Sequence, residues 1–377
     1  MSVPAEAMYP DVVVRSGFRG YNREVIMEAI SEMVDRTGGW PGRAVSGARV
    51  LLKVNMLSAK SPERGITTHP EVAAAVGLLL KARGCDVFVG DSPGGAVKGV
   101  ERYWKNCGFL EMSRETGIGL VNFESSGSRR VEVRGRSYNI AVPVIEGFDV
   151  RINLCKFKTH SYCRITNAVK NSFGIVPGLG KAMLHTMSPR PCDLAVNIVD
   201  LYEIAGFDLH ISDAIIAMDG RGPSTDGTPR PDGVIALARD GVCLDAAMCE
   251  MAGLPPLELD TTREARRRGL GKAPEEIVTD GVHRFENFRI PGKSWLNSVP
   301  PFMGTVVRAL LRVAPRSNEK CTGCGFCARS CPVDAIVIKN NRAVMKRGRC
   351  IMCLCCHELC PENAVEIKSF FLRKTKR

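Results

Sequence analysis

Eight of the sixteen cysteines in this 377-residue chain fall in two runs of identical spacing near its C-terminus. The first is Cys321, Cys324, Cys327 and Cys331, followed by Pro332; the second is Cys350, Cys353, Cys356 and Cys360, followed by Pro361. Both read C-x2-C-x2-C-x3-C-P, in which three thiolates turn around one iron–sulfur cube and the fourth serves the other. The runs start 29 residues apart and match beyond the cysteines, CPVDAIVI against CPENAVEI. Such a repeat reads as two related half-units in one small module. The spacing therefore predicts two [4Fe–4S] clusters, one on Cys321, Cys324, Cys327 and Cys360, the other on Cys350, Cys353, Cys356 and Cys331. A zinc ribbon would pair close ligands across a long gap, and neighbours such as Cys353, Cys355 and Cys356 suit a disulfide framework badly. Cys355 is the one thiol in the second run that the pattern does not need, and it is predicted not to be a ligand.

Residues 318–368 thus resemble a two-cluster bacterial ferredoxin domain, which implies a small α+β ferredoxin-like fold and electron transfer. The chain is too long for that module alone, so a large domain is expected before it. No stretch reaches the 18 apolar residues of a membrane helix, and the N-terminus lacks the basic and apolar regions of an export signal. Sixteen cysteines without such a signal point to a reducing cytoplasm. The net charge of +12 is concentrated at the C-terminal end, where residues 301–377 hold 15 Lys/Arg against 5 Asp/Glu. There is no zinc finger or RNA-binding signature to make this a nucleic-acid surface. The basic module is instead expected to dock an acidic redox partner such as a ferredoxin or flavodoxin, with an ordinary solvated surface as the alternative reading.

Between residues 10 and 290, short apolar runs alternate with amphipathic stretches of helical length. DVVVR (11–15), ARVLLKVN (48–55), CDVFVGD (85–91) and VRINLCKF (150–157) read as strands, with further strands near 209–217 and 234–238. Helices are expected over 24–36, 70–83, 193–205 and 242–253, the second closed by Gly84. This alternation predicts an α/β fold: a mostly parallel or mixed sheet with helices on both faces. In such sheets ligands bind beyond the carboxyl ends of the strands. Polar residues gather there: Lys53 and Asn55, Asp91, then Lys158, His160, Lys170, Asn171, Lys181 and His185, with His69 at a helix start.

The segments KVN…THP, GDSPGG, KFKTH…TNAVKNSFG and MDGRGP resemble the DUF362 family, an α/β domain often fused to ferredoxin modules. The resemblance covers about residues 10–255, with departures at Val54 and Asn167, and implies an architecture and a pocket rather than a reaction. The expected organisation is an α/β domain over 1–292, a linker with an amphipathic helix over 293–317, the ferredoxin domain over 318–368 and a basic tail over 369–377. GLGK (178–181) is not a phosphate loop, because Ile175 and Ala182 replace the glycine and the hydroxyl residue it requires. His160, Cys163 and His185 offer metal-ligand chemistry at uncharacteristic spacing, and Cys163 beside His160 offers a nucleophile.

Together these readings predict an oxidoreductase fed by its own ferredoxin module and acting on a small anionic or carbonyl-bearing substrate. Lys53, Asn55, Asp91, Lys158, Lys170, Asn171 and Lys181 are the expected binding residues, and His69, His160 and His185 the candidate proton donors. Two rival readings are a non-enzymatic carrier whose large domain recognises a partner protein, and a non-redox enzyme whose clusters are structural or regulatory. No flavin motif is visible, and the residues leave a further cofactor in the large domain open.

Overall fold

The structure, a computed structural model, describes residues 9–94, 99–188, 190–223, 227–293, 314–331, 333–346, 348–350 and 355–368, with single positions at 298, 300 and 303. The expected amphipathic helix before residue 313 and the basic tail 369–377 lie outside the described residues, as does Cys353.

The chain opens with β1 (Val12–Ser16) and α1 (Arg23–Arg36), whose first turn is capped by the Asn22 side chain accepting from the Val25 N–H. Next come β2 (Arg49–Lys53), α2 (Pro70–Ala82) and β3 (Asp86–Asp91). Pro at the first position of α2 has no N–H to leave unmet, and Gly84, at φ +82°, closes the helix with its N–H on the Lys81 carbonyl. Two short helices, α3 (Glu101–Asn106) and α4 (Phe109–Thr116), lead to β4 (Gly119–Asn122). A hairpin follows, β5 (Ser128–Val133) and β6 (Arg136–Ala141), turning through Arg134 and Gly135, both at positive φ.

After the one-turn α5 (Val142–Ile145), β7 (Val150–His160) runs 11 residues and is buried along almost its whole length. It leads to β8 (Arg164–Thr166), α6 (Ala168–Asn171), α7 (Gly180–Met187) and α8 (Pro191–Ala205). The domain is completed by β9 (Leu209–Gly220), β10 (Gly227–Arg230), β11 (Val234–Ala238), α9 (Gly241–Met251), α10 (Asp260–Arg267) and β12 (Thr279–Asp280).

These strands form one mixed sheet in the order β12-β1-β11-β9-β7-β2-β3-β4, with β8 and β10 paired at its margin. The run from β9 through β7, β2 and β3 to β4 is parallel, whereas β11 is antiparallel to both β1 and β9. Parallel strands buried on both faces need apolar side chains on both, which is why they read as continuous hydrophobic runs. One apolar cluster packs Ile26, Ile30, Val72 and Val76 of α1 and α2 against Val50, Leu52, Ile152 and Leu154; another packs Leu194 and Ile198 of α8 with Ile140 and Val169. The α/β expectation holds, in its mixed-sheet form.

The C-terminal part has two small antiparallel pairs, β13 (Ala314–Ser317) with β16 (Val365–Lys368) and β14 (Ile336–Lys339) with β15 (Arg342–Met345). Short helices at Phe326–Arg329 and Cys355–Glu358 complete it. The sequence repeat is also a conformational repeat. Asp334 and Asn363, each three residues after the last cysteine of its run, adopt φ of 50° and 51°. In both copies the N–H of the following residue, Ala335 or Ala364, donates to that cysteine's sulfur at 3.2 Å.

Candidate functional site

Because β2, β3, β7 and β9 are parallel, their carboxyl ends open on one edge of the sheet. A cavity of about 60 Å³ lies there, lined by Asn55, Leu57, Gly94, Lys158, His160, Thr166, Lys170, Phe173, Lys181, Ala182, His185, Pro223 and Cys355. Of the residues expected from the sequence, Asn55, Lys158, His160, Lys170, Lys181 and His185 reach this cavity. Lys53, Asp91 and Asn171 lie outside its lining, and His69 is placed elsewhere.

The cavity rests on a closed polar floor. Lys53 Nζ stands 2.8 Å from Asp91 Oδ1, and both side chains are buried. Burial pushes the Lys53 ammonium down from its usual value, opposed by the Asp91 charge. Asp91 also accepts from the Met56 and Ser92 N–H groups at 2.6 and 2.8 Å. Asn171 accepts from Lys53 at 3.3 Å and from Asn55 at 2.9 Å, and donates to Asn153 at 2.7 Å. Lys158 Nζ donates to Asn55 Oδ1 at 2.7 Å and to the Ile66 carbonyl. Gly174 is demanded by this floor: a Cβ there would stand 2.2 Å from Asp91 Oδ1 and 2.6 Å from Lys53 Nζ.

His69 instead caps α2. Its Nδ1 accepts from the Glu71 N–H at 3.2 Å, its ring stacks on Tyr21 at 3.5 Å, and burial lowers its pKa to about 4. Beside it, Lys156 and Asp213 form a second buried pair at 2.8 Å, joined by the Tyr21 hydroxyl.

The upper wall is different. His160 Nδ1 accepts from the Tyr162 and Cys163 N–H groups at 3.1 and 3.2 Å. Burial, with Lys170, His185 and Lys158 nearby, holds its pKa well below the ordinary imidazole value. The ring is therefore neutral, and with Nδ1 accepting, its proton sits on Nε2. Lys170 lies over the ring of Phe173 at 5.7 Å, and the His185 ring meets the same phenyl edge-on at 5.3 Å. Lys181, from α7, donates to Ser92 and lies 3.8 Å from Glu124; burial brings its pKa down to about 8. Thr166 Oγ1 is buried without a hydrogen-bond partner among the described residues.

The remaining wall comes from the other part of the chain. Cys355 opens the short helix Cys355–Glu358 and is buried with Leu359 and Phe326 against Ala182 of α7. Lys60 donates to the Pro361 carbonyl, and the Arg102 guanidinium sits 5.4 Å over the Phe326 ring. Sequence reasoning left Cys355 without a task, and its spare position in the ligand spacing was the only signal. Thr166, which opens the TNAVKNSFG segment, lines the cavity too, although it is not among the binding residues expected from the sequence.

A second cavity lies within the C-terminal part, and Cys321, Cys324, Cys327 and Cys360 all line it. These are the three thiols of the first run and the last of the second. Burial, and after it the neighbouring cysteines Cys360, Cys324 and Cys321, push the Cys327 thiol up to about 11. The Ala343 N–H on Cys321 at 3.3 Å and the Ala364 N–H on Cys360 at 3.2 Å supply further donors to sulfur. Four converging thiols with N–H donors fit an iron–sulfur cube. Of the other set, Cys331, Cys350 and Cys356 are described, with Cys331 and Cys356 contributing to one apolar cluster. Among the described residues no three His, Cys, Asp or Glu side chains are placed to share one metal ion, and that includes His160, Cys163 and His185. The cysteine cavity is of another kind, because the thiolates of a cube each bind a different iron.

Comparison with known proteins agrees with both parts. The profile described as "Domain of unknown function (DUF362)" matches residues 50–250, and that of a "4Fe-4S binding domain" matches residues 314–337. The chain belongs to the DUF362 family. It is 32% identical over 281 residues to the thylakoid-associated protein sll1697 of Synechocystis, covering 72% of this chain and 85% of that one. Two solved structures are more distantly similar. One, a Thermotoga maritima protein, is 14% identical with a TM-score of 0.37, over 57% of this chain and 55% of its own. The other, the lactate racemase apoprotein of Thermoanaerobacterium thermosaccharolyticum, is 10% identical with a TM-score of 0.36, over 58% and 53%. The chain thus spans just over half the length of either structure. As a DUF362 protein it carries an iron–sulfur binding domain, and no helix among its described residues is long and apolar enough to cross a membrane.

Proposed function

We propose that this DUF362 protein is an oxidoreductase whose C-terminal module feeds electrons to a small anionic or carbonyl-bearing substrate held in the pocket at the sheet edge. The observation that carries this reading is Cys355. It lines the pocket and is the chain neighbour of Cys356, an expected ligand of the second cluster. Two [4Fe–4S] clusters, on Cys321, Cys324, Cys327 and Cys360 and on Cys331, Cys350, Cys353 and Cys356, would supply single electrons when bound.

The chain's own residues provide the rest. Lys158 and Lys170 attract an anion, and the His160 Nε2–H donates to a carbonyl oxygen as charge develops on it. Lys181, with a pKa of about 8, holds a proton at neutral pH and yields it readily, which suits a proton donor. His185 completes the wall. Fusion of donor and acceptor domains replaces diffusional encounter by a high effective concentration. The basic C-terminal region, with 15 Lys/Arg against 5 Asp/Glu over 301–377, suits docking of an acidic protein that loads the clusters.

The test is anaerobic purification, counting iron and sulfide, identifying co-purified small molecules by mass spectrometry, and mixing each with dithionite-reduced protein. About eight irons and eight sulfides are expected, with reoxidation of the clusters by one of those molecules. Two equivalents of zinc without visible charge-transfer absorbance would remove the iron–sulfur reading. Fast electron exchange with a partner protein, with no small molecule reduced, would establish the carrier instead.

A further inference from the structure

Three buried lysines of this domain are matched by carboxylates, Lys158 is held by Asn55 and the Ile66 carbonyl, and Lys170 at the pocket is only partly exposed. Lys53 has Asp91, Lys156 has Asp213 and Lys181 has Glu124. Lys170 reaches the same cavity, yet forms no ion pair among the described residues; its recorded neighbour is the Phe173 ring. Thr166 Oγ1 lines that cavity too, on a residue only 2% exposed, and has no hydrogen-bond partner among the described residues. An unmet buried hydroxyl is unfavourable, and beside it Lys170 has a charge that no carboxylate among the described residues neutralises. A single ligand oxyanion would meet both. A cavity of about 60 Å³ has room for on the order of four to six non-hydrogen atoms, at roughly 10–15 Å³ of probe volume each.

We propose that the pocket binds the oxyanion head of a small ligand, a carboxylate or a phosphate, with Lys170 as its countercharge and Thr166 Oγ1 as a hydrogen-bond partner, against the Cys355 wall. This deepens the reading above and rests on it only for what happens after binding. The position of Cys355 adds a consequence. The ligand touches the residue next to Cys356, so its arrival perturbs the cluster held through Cys356 more than the one in the Cys321 cavity.

The experiment uses the full-length, anaerobically purified protein with two probes, sodium acetate and inorganic phosphate, each against chloride at matched ionic strength. Calorimetry measures affinity, and electron paramagnetic resonance of the reduced protein reports the clusters. At least one probe should bind one to one and alter the signal of one cluster; which probe binds decides between carboxylate and phosphate. Lys170→Ala should weaken binding about tenfold or more, the loss expected for one charge-assisted bond, and Lys170→Arg should recover part of it. Thr166→Val should also weaken binding, while thermal stability holds or rises because the hydroxyl it removes has no partner in the unliganded protein. Should Thr166→Val fail to fold, the partly exposed Lys170 position still decides. Neither probe binding in preference to chloride, or binding unaffected by Lys170→Ala, overturns the proposal. Tight anion binding with no reduction of any small molecule would leave it standing and remove the electron-delivery reading instead.

Discussion

The floor and the wall of the pocket use the same residue types to opposite ends. On the floor, Lys53, Asp91, Asn55 and Asn171 satisfy one another at 2.8 to 3.3 Å and leave little for a ligand. On the wall, Lys170 and Thr166 have no such partners among the described residues, and Cys355 arrives from the ferredoxin-like part. The difference separates residues that hold the loops in place from residues that await something. Lys53 at the end of β2 and Lys170 in α6 look alike in sequence; the Asp91 carboxylate beside Lys53 tells them apart.

The comparison breaks most visibly at the wall's outer side. Cys356→Ser should cost one cluster, lowering iron from about eight to about four per chain or fewer, whereas Cys355→Ser should keep full iron content. Equal losses from both would show that the ligand register is wrong and that Cys355 belongs to a cluster rather than to the pocket.

On the floor, Asp91→Ala strands the buried Lys53 ammonium, and a loss of about 3–5 kcal/mol is expected in denaturant unfolding. A loss under about 1 kcal/mol would mean that the floor is not the closed network described. Asp245 gives a related case without a cation. It accepts from the Ala168 and Val169 N–H groups at 2.7 and 3.1 Å, and burial raises its pKa from 3.8 to about 7. Between those values the folded chain keeps a proton that the unfolded chain has released. This contribution is therefore full below about pH 4 and lost by about pH 7, so stability falls as pH rises through that window. At about 1.4 kcal/mol per unit the change is at most about 4 kcal/mol. Asp245→Asn should flatten that slope, and an unchanged slope would assign it to other groups.

The smallest stability effect belongs to the wall. Lys170→Ala should change unfolding free energy by no more than about 0.5 kcal/mol, as for a partly exposed residue without an ion pair. A loss of several kcal/mol would make Lys170 structural, like Lys53.

Much of this was legible in the sequence, and the reasons for the rest are physical. The parallel strands announced themselves because burial on both faces forces runs such as VRINLCKF. The first cysteine set followed from spacing alone, and its four thiols do line one cavity. Helices α3 and α4 were not foreseen, because Gly108 divides ERYWKNCGFLEMSRET into two short pieces. Helix α7 was missed because GKAMLHTM follows the glycine-rich turn that suggested a loop. His69 looked catalytic beside a strand end, but its neighbour Pro70 starts a helix that needs a cap. Most of all, the pocket wall joins Lys170 to Cys355, residues far apart in the chain, and no local pattern reports where two domains meet.

The most direct measurement is a crystal structure of the anaerobic, cluster-loaded protein soaked separately in acetate and in phosphate. The account predicts an anion within hydrogen-bonding distance of Lys170 Nζ and Thr166 Oγ1, next to Cys355, with the Lys53–Asp91 floor unchanged. A pocket that stays free of either anion, or an anion that binds by displacing Asp91 from Lys53, would contradict it.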